Sequence, residues 1–223
     1  AFAEGKLLAL IPKSHIPNYR EFYELRHFTP AKEGVSVIDY AGCSVPFGRE
    51  IVLYHEKMPA FSVAAEICED LWAAHSPAEG HAAAGANIIV NLSASNEAVG
   101  KLEYRRLLVK AQSGKCVAGY VYADAGGESV SDLIFAGHDM IAENGSLLSE
   151  SAPFLGGTAT GEIDVELLEH ERRAMNTFAG GGEGYTKVAF SFPLAEGKLT
   201  RKVDPTPFVP CLLYTSPSPR DCS

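Results

Sequence analysis

Between residues 61 and 122 the chain alternates apolar runs with helix-like stretches, and this alternation limits the fold more than any other feature. Phe61–Ile67, Asn87–Leu92 and Val117–Tyr122 are short apolar runs that predict strands. Between them, Ala78–Ala84 is a run of small residues. Lys101–Lys115 places Leu102, Leu107, Leu108 and Ala111 at fair helical spacing, with Arg and Lys on the outer face. Both predict helices, and the whole order is that of an α/β fold. Further strands are expected at Leu133–Ile141 and Gly161–Val165, a hairpin turn at Glu143-Asn144-Gly145, and a short charged helix at Val165–Met175. Thr177–Thr186 is glycine-rich, but its Ala179-Gly180-Gly181-Gly182-Glu183-Gly184 is neither a Walker loop nor the start of a helix, so it predicts a loose excursion. No internal repeat is visible.

Cys68 ends the first of these strands in the phrase Glu66-Ile67-Cys68-Glu69-Asp70-Leu71-Trp72. A thiol lifted off a strand end faces the backbone N–H groups of the following turn, which suit an oxyanion. The flanking carboxylates favour the protonated thiol, so a nearby cation is needed to form the thiolate. Lys13 is a candidate: it closes the apolar run Leu7–Ile11, the mouth of an expected strand, and precedes a proline-stiffened loop. Taken singly, each has a plainer reading, Cys68 as an inert core thiol and Lys13 as a surface lysine.

Together these segments resemble the nitrilase (carbon–nitrogen hydrolase) superfamily, and within it the glutaminase domains of glutamine-dependent NAD synthetases. The resemblance rests on Pro12-Lys13-Ser14-His15-Ile16-Pro17-Asn18-Tyr19, Phe22-Tyr23-Glu24, the Glu66–Trp72 phrase and Asn91-Leu92-Ser93-Ala94-Ser95-Asn96. Arg105-Arg106-Leu107-Leu108, Tyr120-Val121-Tyr122-Ala123, Glu143-Asn144-Gly145 and Val203–Pro210 extend it over roughly residues 5–210. It implies a nitrilase-type α-β-β-α sandwich, with Cys68 as nucleophile and Lys13 as the cation beside the tetrahedral intermediate. Tyr19, Glu69 and Trp72 would shape a glutamine pocket, and Ser95 would contact the α-amino or α-carboxylate end. Lys101, where some members have arginine, would bind the α-carboxylate as a point charge. Glu21 matches the supporting second carboxylate, with a solvated loop acid as its plainer reading.

The superfamily's general-base glutamate belongs to an early strand upstream of the lysine. Glu4 is the only acid before Lys13, in the turn-like Ala3-Glu4-Gly5-Lys6. The expectation is therefore a sandwich truncated at its N-terminal side, with the base absent and the isolated fragment inactive. Residues 1–202 are expected to form the hydrolase domain, 203–210 to begin a linker to an absent synthetase domain, and 211–223 to be a non-native, adaptor-derived tail.

The net charge of −9 opposes nucleic-acid and anionic-membrane partners, and no apolar run is long enough to span a bilayer. Of five cysteines, Cys211 and Cys222 lie in the expected tail, and the remaining Cys43, Cys68 and Cys116 form an odd, scattered set that predicts a reduced, cytoplasmic protein. Cys68, His75 and His81 match no zinc spacing, and no metal is expected. His15 and His138 are other partners open to a cysteine, but no papain-type phrase supports them. The implied activity is glutamine amide hydrolysis that supplies ammonia for ATP-dependent amidation of deamido-NAD. The amidase portion would need no cofactor, with ATP and Mg2+ confined to the synthetase domain, its partner in the same parent chain. A homo-oligomer is also implied. The alternatives are a stand-alone amidase on another small amide and a catalytically silent assembly module.

Overall fold

The computed structural model describes residues 1–202 apart from 131, 179, 180, 196, 198 and 199. The expected linker at 203–210 and tail at 211–223 lie outside the described residues. In chain order the strands are β1 (Phe2–Ala3), β2 (Lys6–Leu7), β3 (Ser36–Tyr40), β4 (Cys43–Phe47), β5 (Ile51–His55), β6 (Met58–Ile67), β7 (Ile88–Ser93) and β8 (Gly119–Asp124). They continue with β9 (Gly126–Val130), β10 (Leu133–Ala136), β11 (Met140–Glu143), β12 (Ser146–Glu150) and β13 (Thr186–Phe190). The helices are α1 (Pro77–Ala83), α2 (Lys101–Cys116) and α3 (Val165–Ala174).

Seven strands form one mixed sheet in the order β12-β11-β8-β7-β6-β5-β13. Its centre, β6-β7-β8, is parallel, because α1 and α2 carry the chain back between successive strands. Alternate residues on these strands and on the neighbouring β11, among them Ala64, Ile89, Tyr120, Tyr122, Met140 and Ala142, are buried. Ile89, Tyr120, Tyr122, Met140 and Ala142 share one core with Ala78 and Ala82 of α1 and Val109 and Cys116 of α2. The other set, Val63, Ile67, Val90 and Val121, is only half-buried, and Leu92 is exposed. Ser76 caps α1, its Oγ accepting the Ala78 N–H at 3.1 Å, and Pro77 sits where its missing donor costs nothing.

The α2 helix lies close on the β11–β12 hairpin because two glycines meet there: a Cβ on Gly114 would stand 3.3 Å from Gly145 Cα. The hairpin turn falls at Asn144-Gly145 as expected, both residues having positive φ. α3 is pinned by Arg172, which donates to the carbonyls of Ala86, Cys116 and Val117 and to Asn87 Oδ1 at 2.8–3.0 Å.

Three expected strands differ. Leu133–Ile141 is broken at Gly137, whose backbone turns left-handed (φ +62°) against Gly126, so its two halves join different sheets. Gly161–Val165 is no strand: Ile163 seats its side chain on Gly119, and the Asp164 N–H is bound by Glu143 Oε2 rather than by a ladder. Leu7–Ile11 reduces to the end of β2 and one parallel bridge from Leu10 to Phe47. Glu4 sits in the β1–β2 turn with positive φ, as its sequence context predicted. Among the described residues no helix is long and apolar enough to cross a membrane.

Candidate active site

β6 delivers Cys68 to a 3-10 turn, Cys68–Leu71, with the cysteine in the left-handed region at φ +51°. An L-residue there carries about 1–2 kcal/mol of strain, a cost found where a side chain must be presented at a sharp strand-to-turn corner. Two side chains hold the corner. Asp70 Oδ2 accepts the Ile67 N–H at 2.8 Å, and Asn91 Oδ1 accepts the Cys68 N–H at 3.1 Å. Cys68's own N–H is thus engaged by Asn91 rather than left for an oxyanion. Asn91 is fixed in turn by Tyr120 and by Glu66, a buried acid that also accepts from Ser76 and Tyr120. Burial, more than any neighbour, pushes the Glu66 carboxyl up from its ordinary pKa.

Asp70 also brings in the Lys13 loop. Its side chain is 1% exposed and accepts the His15 N–H at 2.7 Å, the Ser14 N–H at 3.4 Å and a contact from His15 Nδ1 at 3.0 Å. Ser14 and Ile67, the chain neighbours of Lys13 and Cys68, therefore share one carboxylate oxygen. Lys13 itself is largely buried and its Nζ donates to Glu24 Oε2 at 2.9 Å.

A cavity of about 380 Å3 opens beside the cysteine, lined by Cys68, Tyr19, Glu69, Trp72, Ser95 and Lys101, with Glu21 and Asn96 on its wall. Tyr19 donates to Glu69 Oε1 at 2.8 Å, and burial together with that carboxylate pushes its phenol up to about 12. Lys101, the first residue of α2, lies over the Trp72 ring at 5.1 Å and donates to Asn96 Oδ1 at 2.6 Å. Burial, then the Arg105 charge, lowers its pKa. Ser95 is buried, yet its Oγ has no partner among the described residues. A pocket of this size, with a cation, carboxylates and an unpaired hydroxyl, suits a small zwitterion.

Of the residues that the resemblance singles out, Cys68, Tyr19, Glu21, Glu69, Trp72, Ser95 and Lys101 line this cavity, and Asp70 ties Lys13 to its edge. Glu21 does not sit on the lysine. It accepts from Asn96 Nδ2 at 2.7 Å, and a backbone hydrogen bond and that amide hold its pKa below the ordinary carboxylate range. The carboxylate on Lys13 is Glu24, which sequence reasoning passed over although it lies in the quoted Phe22-Tyr23-Glu24 phrase. Asp70 and Asn91 were also missed as organisers of the site. Neither histidine considered as a partner for the thiol serves it: His15 is on Asp70 and His138 on Glu150.

No family model matches the chain. It is similar to the glutamine-dependent NAD(+) synthetase of Mycobacterium tuberculosis, at 39% identity over 218 residues that take in 92% of this chain and 32% of that protein. The chain spans about a third of the length of the curated relatives it matches first. Among solved structures it resembles a glutamine-dependent NAD(+) synthetase from Cytophaga hutchinsonii, with TM-score 0.55, 28% identity, and coverage of 64% of this chain and 22% of that one. Saccharomyces cerevisiae Nit3, a member of branch 10 of the nitrilase superfamily, shares the fold at TM-score 0.51 and 20% identity, covering 74% of this chain and 51% of its own. The nitrilase-type fold expected from the sequence is the one observed.

Proposed function

We propose that this chain, which is similar to glutamine-dependent NAD synthetases and has a nitrilase-type fold, is a member of the nitrilase superfamily and the glutamine-hydrolysing part of such an enzyme. The carrying observation is Cys68 on a strained corner at the edge of the cavity, with Lys13 tied to the same corner through Asp70. Cys68 Sγ attacks the side-chain amide carbon of glutamine. The C–N bond breaks, the nitrogen leaves as ammonia with the thiol proton, and a thioester remains. Water then cleaves the thioester to glutamate and restores the thiol.

In this reading Lys13, held by Glu24, supplies positive charge to the thiolate and the tetrahedral oxyanion. Trp72 and the Tyr19–Glu69 pair shape the pocket, while Ser95 Oγ and Lys101 Nζ receive the amino-acid end. The ammonia passes to an ATP-dependent amidation of deamido-NAD, carried out by a synthetase domain of the same parent chain. In the full-length protein, Cys68→Ala should abolish glutamine-dependent synthesis and spare ammonia-dependent synthesis. Measuring each nitrogen donor separately tests this, and equal loss of both activities would refute the nucleophile's role.

A further inference from the structure

Behind the cavity wall lies a buried ion pair that no step above uses. Arg105 on α2 and the Asp124 side chain at the end of β8 are both fully buried, with Nη1 facing Oδ2 at 4.0 Å. The pair is poorly satisfied: Arg105 Nε and Nη1 and Asp124 Oδ2 have no hydrogen-bond partner among the described residues. Burying two charges this way is a weak source of stability, because desolvation offsets the attraction.

What the pair does hold is a loop. Asp124 Oδ1 accepts the Ser95 N–H at 2.9 Å, and Arg105 Nη2 donates to Glu97 Oε2 at 3.0 Å. The stretch Ser95-Asn96-Glu97 is therefore gripped at both ends from below. Its middle residue, Asn96, binds Lys101 Nζ on one side and Glu21 on the other, and Ser95 Oγ stands unpaired at the cavity.

We propose that Arg105 and Asp124 are positioning residues for the amino-acid end of the substrate, setting where Ser95 Oγ and Lys101 Nζ stand relative to Cys68. The proposal rests on the reading of the cavity as a glutamine site. It separates two properties of that site: the reactivity of the thiol, which depends on the Asp70 corner, and the affinity for an α-amino acid, which depends on the gripped loop.

The test uses the purified full-length protein and iodoacetamide, which alkylates Cys68 but has no amino-acid end to be recognised. The alkylation rate is measured with and without increasing glutamine for wild type, Asp124→Asn, Arg105→Lys and Glu97→Ala. The last removes the loop's own side of the tether, Glu97 being 14% exposed, while Arg105→Lys keeps the buried positive charge and so guards against a variant that does not fold. The glutamine concentration that half-protects Cys68 should rise roughly tenfold or more, the scale expected when binding groups are displaced by a fraction of an ångström to an ångström. The rate without glutamine should stay at the wild-type value. Unchanged protection in all three variants overturns the proposal, and so does a parallel loss of alkylation and protection, which marks a merely structural loop. A wild type that glutamine does not protect refutes the functional reading itself, and the proposal with it.

Discussion

Asp70→Ala should both destabilise the protein and disconnect the lysine from the cysteine. The substitution removes the acceptor of two short main-chain bonds, Ile67 N–H at 2.8 Å and His15 N–H at 2.7 Å, besides the longer one from Ser14. Hydrogen bonds to a charged group contribute about 1.5–3 kcal/mol each, so the two short ones alone amount to roughly 3–6 kcal/mol. Against a typical net stability of about 5–15 kcal/mol this is a large share. With a urea m-value of about 2–3 kcal/mol/M, the upper part of the range that a chain of this size occupies, the unfolding midpoint should fall by roughly 1–3 M. His15→Ala is the internal control. It removes only the ring contact to a half-exposed side chain and keeps the main-chain donor, so it should cost about 1 kcal/mol or less. The second readout is the alkylation rate of Cys68 at neutral pH, which should drop in Asp70→Ala in the fraction that remains folded, because the Lys13 loop is no longer tied to the Cys68 corner. A midpoint and an alkylation rate both equal to wild type would show that the corner and the loop are held by other contacts.

Lys101→Ala should raise the KM for glutamine by roughly 10–100-fold, as expected for loss of a charge-assisted contact, with Lys101→Arg close to wild type; an unchanged KM would remove the residue from the site. Burial, partly opposed by the Ala65 carbonyl, holds the His81 imidazole down at about 4, against 6.5 when free. Because its folded pKa is depressed, the neutral ring's contribution is complete above about pH 6.5 and is lost as pH falls toward 4, a span of about 3 kcal/mol. Urea midpoints from pH 7 to 4.5 should therefore decline more steeply in wild type than in His81→Gln, and parallel curves would contradict the assignment. Residues 1–223 alone should release no ammonia from glutamine above background, because each carboxylate around Cys68 among the described residues already holds a partner: Asp70 the Ile67 and His15 N–H groups, Glu24 Lys13, Glu69 Tyr19, Glu21 Asn96, and Glu66 Tyr120 and Ser76. General base catalysis is worth about 10²–10⁴-fold, so turnover at an ordinary enzyme rate would identify one of those acids as the base.

The centre of the fold was legible because its signals are local. Each of β6, α1, β7, α2 and β8 carries its own apolar period, and each is joined to the next by a short connection. The outer strands were not. β13 pairs with β5, 135 residues away in register (Thr186 with Ile51), and nothing in Thr186–Phe190 announces that partner. Gly137 ended an apolar run that read as continuous, because the close approach of Gly126 is a tertiary fact. The site divides in the same way. Cys68, Lys13 and the pocket residues stand out as chemical types in recognisable phrases, whereas the choice between Glu21 and Glu24 depends on how the Pro17–Arg26 loop folds back. Asp70 looked like one of several turn acids, and only its burial, with donors from two distant segments, reveals its role.

The position of the site follows from the register of the three parallel strands. Ile67 pairs with Leu92, and Ser93 with Asp124, so β6, β7 and β8 end at nearly one level. Open parallel sheets bind ligands at their carboxyl ends, where successive loops rise together. Here each loop supplies a different function: Cys68 after β6, Ser95 and Asn96 after β7, and the loop-gripping Asp124 at the end of β8. The start of α2 then returns Lys101 to the same edge. None of these residues has to reach far, and each is fixed by a side chain from a neighbouring strand or helix: Asn91 for the Cys68 backbone, Asp124 for Ser95, Arg105 for Glu97. A one-residue slip of β7 would therefore do more than turn Ile89 and Asn91 out of the core. It would withdraw Asn91 from the Cys68 N–H and Ser95 from Asp124 at once, so the packing that selects the register also assembles the chemistry.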